Sequence, residues 1–137
     1  MEKIVLISCV SKKLPNKSKA QDLYISPLFR YNLEYAKSLK PDKIFILSAK
    51  HGLLNLDEEI EPYNETLNEM NSNEVKEWAN SVLNELSKVC DIKKDEFIFF
   101  AGDKYRKYLI SHINNYKIPL KGLGIGKQLK YLKENLK

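Results

Sequence analysis

The chain has 137 residues, 43% hydrophobic and 30% charged, with a formal net charge of +5. This length buries about two-thirds of the unfolded surface, which suits a single domain over residues 1–137. The apolar run Ile4–Ile7 is too short to span a membrane, and no signal-peptide pattern follows it. Cys9 and Cys90 have no metal-site or disulfide-framework spacing. We therefore expect a cytoplasmic protein without a membrane partner.

The charge is distributed unevenly along the chain. Basic residues dominate 10–40 and 103–137, whereas 55–77 holds eight acidic residues and one lysine, Lys76. If the two basic segments share a face, they form a surface that attracts phosphate groups. The alternative is an ordinary solvated lysine-rich surface.

The first half of the chain predicts two buried strands and one helix. Lys3 to Cys9 is short, continuous and β-branched, as is Lys43 to Ala49, so both are predicted as buried strands. The segment 10–24 between them has no clear period and is predicted as a loop. Ser26-Pro27 then predicts a helix start, with Ser26 as the N-cap.

The second half continues the alternation. Residues 50–71 are predicted to be irregular, and Asn73 is predicted to cap a long helix. A third buried strand is predicted over Glu96–Ala101, followed by a helix capped by Asp103. A short fourth strand is expected within 118–126, and a last helix over 127–136.

Alternating buried strands and helices predict an α/β fold, namely a three-layer αβα sandwich with a small, mostly parallel sheet of three to four strands. In such sheets, ligands bind at the carboxyl ends of the strands. The predicted site is therefore the rim formed by Ser8-Cys9, Ser48-Ala49 and Ala101-Gly102.

The first rim segment offers a thiol and two cations. Cys9 at a strand end near lysines is a candidate nucleophile, or else a small residue packed beneath the loop. Lys12 and Lys13 suit a phosphate or carboxylate, with Ser8 and Ser11 as further substrate contacts.

Two more segments carry candidate substrate contacts. Tyr24 and Ser26 flank a helix N-terminus, where an anion can dock, although Ser26 also suits a cap. Ser48, a candidate catalytic residue, precedes Lys50-His51-Gly52, in which Gly52 permits a sharp turn and His51 can exchange protons near neutral pH. An ordinary surface role is the alternative for Lys50 and His51.

The remaining candidates lie in the long connection and after the third strand. Tyr63 can stack on a base, and the carboxylates around it can act as acid or base, or form a solvated face. Gly102 allows close backbone approach, Asp103 can hold a sugar hydroxyl or act as a base, and Tyr105 lies in the same segment.

No metal or cofactor is expected. Two separated His and two separated Cys lack the spacing of a zinc site. The glycines of 122–126 suggest a weak anion loop, but they match neither the Walker pattern nor the dinucleotide fingerprint.

Several motifs together resemble a known but uncharacterised family of small bacterial and phage α/β domains. That family is distantly similar to the peroxide-stress protein family and to domains of the uracil-DNA-glycosylase type, a resemblance that implies a link to base modification. The motifs are SCVSKK (Ser8–Lys13), LYISPLF (Leu23–Phe29), LSAKHGLL (Leu47–Leu54), PYNETL (Pro62–Leu67), the helix of Trp78, and AGDKY (Ala101–Tyr105).

Three functions follow as hypotheses. The first is an enzyme that acts on a nucleotide or nucleic-acid base, glycosylase-like, with a phosphate-binding basic rim. The second is a non-catalytic module that binds nucleotides or nucleic acid. The third is a thiol-dependent enzyme that uses Cys9.

Overall fold

The computed structural model describes residues 1–136 and shows a mixed α/β fold with a mostly parallel sheet. Lys137, the last residue of the predicted domain, lies outside the described residues. The strands are β1 (Lys3–Ser8), β2 (Ser18–Lys19), β3 (Lys43–Ser48), β4 (Gly52–Asn55), β5 (Glu59–Ile60), β6 (Glu96–Phe100) and β7 (Tyr116–Lys117). The helices are α1 (Ala20–Leu23), α2 (Pro27–Ser38), α3 (Ser72–Val89), α4 (Asp103–Ile110) and α5 (Ile125–Asn135), with a 3-10 helix at Leu67–Glu69.

The main sheet has the strand order β4-β3-β1-β6-β7, and β2 pairs with β5 in a separate small sheet. β1 is parallel to both β3 and β6, β7 is parallel to β6, and β4 is antiparallel to β3. Five strands exceed the three to four predicted. The prediction missed β4 and placed the fourth strand at 118–126, whereas β7 is an exposed pair at Tyr116–Lys117.

The central strand β1 explains why the sequence identifies the sheet so clearly. Its four middle residues, Ile4–Ile7, are completely buried. A parallel strand with a neighbour on each side and both faces covered needs apolar residues at every position. The three predicted parallel strands are confirmed within one residue of their ends.

Helix starts follow the rules for N-caps, with two corrections. Ser26 caps α2 as predicted, its Oγ accepting from Phe29 N at 3.2 Å. Asn71, not Asn73, caps α3, because a capping box joins it to Glu74. Gly102 occupies the N-cap of α4, so Asp103 is the first helical residue and makes no capping hydrogen bond.

The two segments predicted as irregular contain short elements. Residues 10–24 include β2 and α1, while 50–71 include β4, β5 and the 3-10 helix. Elements of two to four residues are too short to impose a period on the sequence. The predicted last helix is confirmed as α5, which begins at Ile125.

Chain direction across the sheet positions the site. The chain passes from β1 through α2 to β3 on one side, and returns through α3 to β6 on the other side of β1. The carboxyl end of β1 is therefore the topological switch point, where open α/β sheets bind ligands. Among the helices, α2 packs against α5 and α3 packs against α4.

Candidate functional site

The three predicted rim segments lie at one edge of the sheet. In the parallel register Ser8 is level with Leu47, and Ile7 is level with Phe100. Cys9 N extends the pairing by donating to Leu47 O at 2.9 Å. Because side chains alternate along a strand, Ser8 and Cys9 line two different cavities at this edge.

Ser48 is fully buried beneath the rim. Its Oγ donates to Tyr63 Oη at 2.7 Å and accepts from His51 N at 3.0 Å. Its carbonyl oxygen accepts from Trp78 Nε1 at 2.8 Å. With its polar atoms occupied, Ser48 joins β3 to the loop of Tyr63 and to α3.

Tyr24 and Tyr63 form a buried hydroxyl pair, with their Oη atoms 2.5 Å apart. Burial is the main cause that raises the pKa of both phenols. The Tyr24 ring is fully buried and also packs on Phe29 at 5.0 Å between centroids. The structure therefore leaves the Tyr24 ring no free face on which a base can stack.

A cavity of about 420 Å³ opens beside the carboxyl end of β1, and we call it the thiol cavity. It lies between the first rim segment, the connection after Tyr63 and the start of α4. Its lining combines a thiol, an ammonium group, carboxylates and phenols: Cys9, Val10, Ser11, Lys13, Tyr63, Asn64, Glu65, Thr66, Asn68, Glu69 and Tyr105.

Cys9 and Tyr105 belong to the buried part of this lining, together with Tyr63. Cys9 Sγ and Tyr105 Oη lie 3.4 Å apart, so either group can donate to the other. Leu67 N also donates to Tyr105 Oη at 3.4 Å, and the Trp78 ring packs edge-on against Tyr105 at 5.6 Å. Burial raises the pKa of Tyr105 to about 12, so the phenol stays protonated well above neutral pH.

Lys13 places an ammonium group against the aromatic wall. Its Nζ lies 4.4 Å from the centre of the Tyr63 ring and 5.7 Å from that of Tyr24, both within cation–π range. Burial lowers the pKa of Lys13, and the nearby Cys9 and Glu65 oppose that shift. A lysine with a lowered pKa gives up its proton more readily.

Glu65 is a further lining residue of the thiol cavity, which the sequence analysis included only among the carboxylates around Tyr63. Its carboxylate lines the thiol cavity and acts electrostatically on Lys13. The sequence places it in a run of acidic residues, which made a solvated face the simplest interpretation. The sequence feature that could have identified Glu65 is its position two residues after the candidate Tyr63.

His51 and Gly52 form the turn between β3 and β4. Gly52 has φ +73°, and an added Cβ would lie 2.5 Å from Glu85 Oε1, so the turn requires glycine. His51 is exposed, with its ring edge-on to Tyr63 at 5.4 Å. The residues Lys50–Gly52 line a separate groove beside α3 rather than the thiol cavity.

A second cavity, of about 310 Å³, lies at the same sheet edge, and we call it the amide cavity. It receives the candidates Ser8, Gly102 and Asp103, so the structure separates Asp103 from Cys9 and Tyr63. Its other polar lining residues are Asn32, Arg106, Lys121 and Gln128.

The other candidates lie outside the buried part of the site. Ser11, Lys12 and Lys50 are exposed. Lys104, next to Asp103, reaches the 3-10 helix at the cavity rim, where its Nζ donates to Asn68 O at 3.3 Å.

Two further findings concern the described residues. Within 1–136, no three His, Cys, Asp or Glu side chains gather as a set of metal ligands. None of the helices in this range has the length and apolar character needed to cross a bilayer.

The structure is a mixed α/β fold with two polar cavities at the switch point of a mostly parallel sheet. Comparison by sequence gives the particular family. A family model described as a family of unknown function (DUF6884) matches residues 4–134, and the chain belongs to this family. No curated protein matches the chain, and no solved structure matches it.

Proposed function

We propose that the chain is an enzyme that acts on the base of a nucleotide or nucleic acid, and that it hydrolyses the N-glycosidic bond in the thiol cavity. One observation carries the proposal: an ammonium, a carboxylate and a protonated phenol line a single cavity at the switch point of the sheet. Acid–base cleavage of a base from its sugar needs groups of these types. A base leaves the helical stack to enter such a cavity.

Glu65 and Lys13 have complementary roles in the proposed reaction. The Glu65 carboxylate accepts a proton from water as the water oxygen attacks C1′ of the sugar. The bond between C1′ and the base nitrogen breaks, and its electron pair stays on the base. Lys13 protonates the departing base, which suits its lowered pKa. The products are the free base and the sugar hydroxyl.

The buried residues hold the cavity in shape for this step. Tyr105 Oη, a protonated phenol at neutral pH, can donate to a carbonyl or ring nitrogen of the base. The Tyr63 ring forms an adjacent wall, and Ser48 fixes its hydroxyl. Lys12 on the exposed rim then attracts the phosphate groups of the substrate.

The test is release of free base, followed by chromatography and mass spectrometry. The probes are the common nucleosides, their 5′-monophosphates, and single- and double-stranded oligonucleotides that contain uracil or hypoxanthine. Wild type should release a base from at least one probe. Glu65→Gln should slow that release at least about a hundredfold with binding retained.

Glu61→Gln is the matched control, since Glu61 is exposed in the same loop and outside the cavity lining. It should react like wild type. The proposal is contradicted if wild type releases no base from any probe, or if both glutamine variants behave alike.

A thiol-dependent enzyme is the second candidate, and the 3.4 Å contact between Cys9 Sγ and Tyr105 Oη favours it. Under this alternative Cys9 is the nucleophile, and Cys9→Ala abolishes turnover. Under the hydrolytic proposal the same variant retains turnover, because no bond to sulfur forms. Cys90→Ser is the matched control for either outcome.

The helix contacts support a finer architecture as well. We propose that α2 with α5 cover one face of the sheet and α3 with α4 the other, which makes a three-layer sandwich. The connection from β1 to β3 and the connection from β3 to β6 run in opposite directions across the sheet. If both are right-handed, their helices α2 and α3 must lie on opposite faces.

A further inference from the structure

The amide cavity contains a buried polar group that nothing in the described chain satisfies. Asn32 is 6% exposed, and within residues 1–136 its Oδ1 has no hydrogen-bond partner. Asn32 lies on the buried face of α2 together with Phe29, Leu33 and Ala36. Buried polar atoms are nearly always paired, so an orphan amide that lines a cavity indicates a ligand or water that bonds to it.

Two helix N-termini lie at or beside the same cavity, since Gly102 and Asp103 at the start of α4 line it, and so do Leu123 and Gln128, which flank the start of α5. α4 begins after Gly102 and α5 begins after Gly124, and neither has a side-chain cap. Their first backbone N–H groups are therefore available to an acceptor, and the helix dipoles favour negative charge there. An added Cβ at Gly102, Gly122 or Gly124 would meet no atom within 4 Å, so the backbone borders open space.

The side chains that line the amide cavity add charged groups and hydrogen-bond acceptors to these backbone donors. Arg106 and Lys121 supply positive charge, and Arg106 is held by donating from Nη1 to Ala101 O at 2.5 Å. Gln128 Nε2 donates to Leu123 O at 2.8 Å, which leaves its oxygen for a ligand. Asp103 opposes a bare anion but accepts from hydroxyl groups.

We propose that the amide cavity binds a sugar phosphate, with the phosphate at the two helix N-termini and Lys121, and the sugar hydroxyls at Asn32 and Asp103. A ligand with both a phosphate and hydroxyl groups satisfies the orphan amide as well as the helix ends. Its source is either a free sugar phosphate or the sugar phosphate of a nucleotide. The inference does not depend on the proposed base release, because the two cavities have no lining residue in common.

Isothermal titration calorimetry of the full chain tests this inference. The probes are ribose 5-phosphate, a nucleoside 5′-monophosphate, ribose and inorganic phosphate. Wild type should bind ribose 5-phosphate, the monophosphate or both at least tenfold more tightly than it binds either ribose or phosphate. Binding of the monophosphate and not of ribose 5-phosphate would assign the site to nucleotides, and the reverse would assign it to free sugar phosphates; both results support the inference.

Two variants separate a binding role from a structural one. Asn32→Leu should weaken sugar-phosphate binding at least tenfold while leaving the melting temperature unchanged or higher, since it removes an unpaired polar group. Lys121→Gln, at an exposed position, should also weaken sugar-phosphate binding. This variant serves as the test if Asn32→Leu fails to fold. Lys93→Gln, at an exposed lysine that lines neither cavity, should bind like wild type. Failure of wild type to bind any sugar phosphate, or equal binding by the Lys121→Gln variant, would overturn the inference.

Discussion

The hydroxyl of Tyr63 lies 2.5 Å from that of Tyr24 and accepts a hydrogen bond from Ser48 Oγ at 2.7 Å. Three segments far apart in the sequence thus meet at one buried oxygen. This contact fixes the connection that carries Glu65 against the carboxyl end of β3. The shape of the thiol cavity therefore depends on a small polar network in the core.

Tyr63→Phe should destabilise the fold by about 1–3 kcal/mol, because it leaves the hydroxyls of Ser48 and Tyr24 without their partner. The measurement is urea denaturation at pH 7. Tyr116→Phe is the control, since Tyr116 is exposed at the sheet edge, and it should leave stability unchanged within about 0.5 kcal/mol. Equal stabilities for the two variants would show that the network is not structural.

Alkaline pH should destabilise the protein in a way that involves Tyr105. Its pKa is raised to about 12 in the folded state, against about 10 when unfolded. The folded state thus holds the phenolic proton more tightly, and the resulting stability is complete below about pH 10 and lost as pH rises toward about 12.

Tyr105→Phe removes this titration, so its free energy of unfolding should fall less steeply than that of wild type between about pH 10 and about pH 12. Burial still raises the pKa values of Tyr24 and Tyr63 in both proteins, which gives both a residual slope. Denaturant titrations at several pH values provide the comparison. Parallel curves for the two proteins would contradict the raised pKa.

Gly52→Ala should cost about 1–3 kcal/mol, because φ +73° is strained for alanine and the new methyl group meets Glu85 Oε1. Gly126→Ala is the matched control. Gly126 lies in the first turn of α5 with open space at its Cβ position, so alanine should be neutral or stabilising. Thermal unfolding of both variants checks the prediction. The prediction is wrong if the Gly52→Ala variant has the same melting temperature as wild type.

If the substrate is a single-stranded nucleic acid, its binding should weaken steeply with salt. Each phosphate contact contributes a slope of about −0.7 in log K against log salt. Lys12→Gln should make the slope shallower by about that amount, whereas Lys93→Gln, near the amino end of β6, should not. Fluorescence anisotropy with a labelled oligonucleotide at four salt concentrations is sufficient. Binding that does not depend on salt would exclude phosphate contacts at this rim.

The sheet was predictable because burial on both faces leaves continuous apolar runs at β1, β3 and β6. β4 was not predictable, because it is only four residues long (GLLN). It pairs with β3 through a tight turn, and Gly52 is the only sign of that turn in the sequence. β7 was not predictable either, because its two residues are exposed at the edge of the sheet and need not be apolar. A strand can therefore be predicted from the sequence to the extent that its side chains are buried.

That the three rim segments lie together was also predictable, since it follows from where parallel strands end, but the grouping of their side chains was not. Ser8 and Cys9 are adjacent in sequence and line different cavities, and Asp103 joins Ser8 rather than Cys9. Asn32, which is not among the sequence candidates, is nevertheless marked in the sequence. It falls at helical spacing between Phe29 and Ala36, on the apolar face of α2, where a polar residue calls for a partner.

The most direct test of the proposed function is a crystal structure of the Glu65→Gln variant soaked with the nucleoside from which wild type releases the base. The proposal predicts the base in the thiol cavity, with Tyr105 Oη and Lys13 Nζ within hydrogen-bond distance of its polar edge and the sugar C1′ facing residue 65. A base bound elsewhere, with the thiol cavity empty of nucleoside, would contradict it.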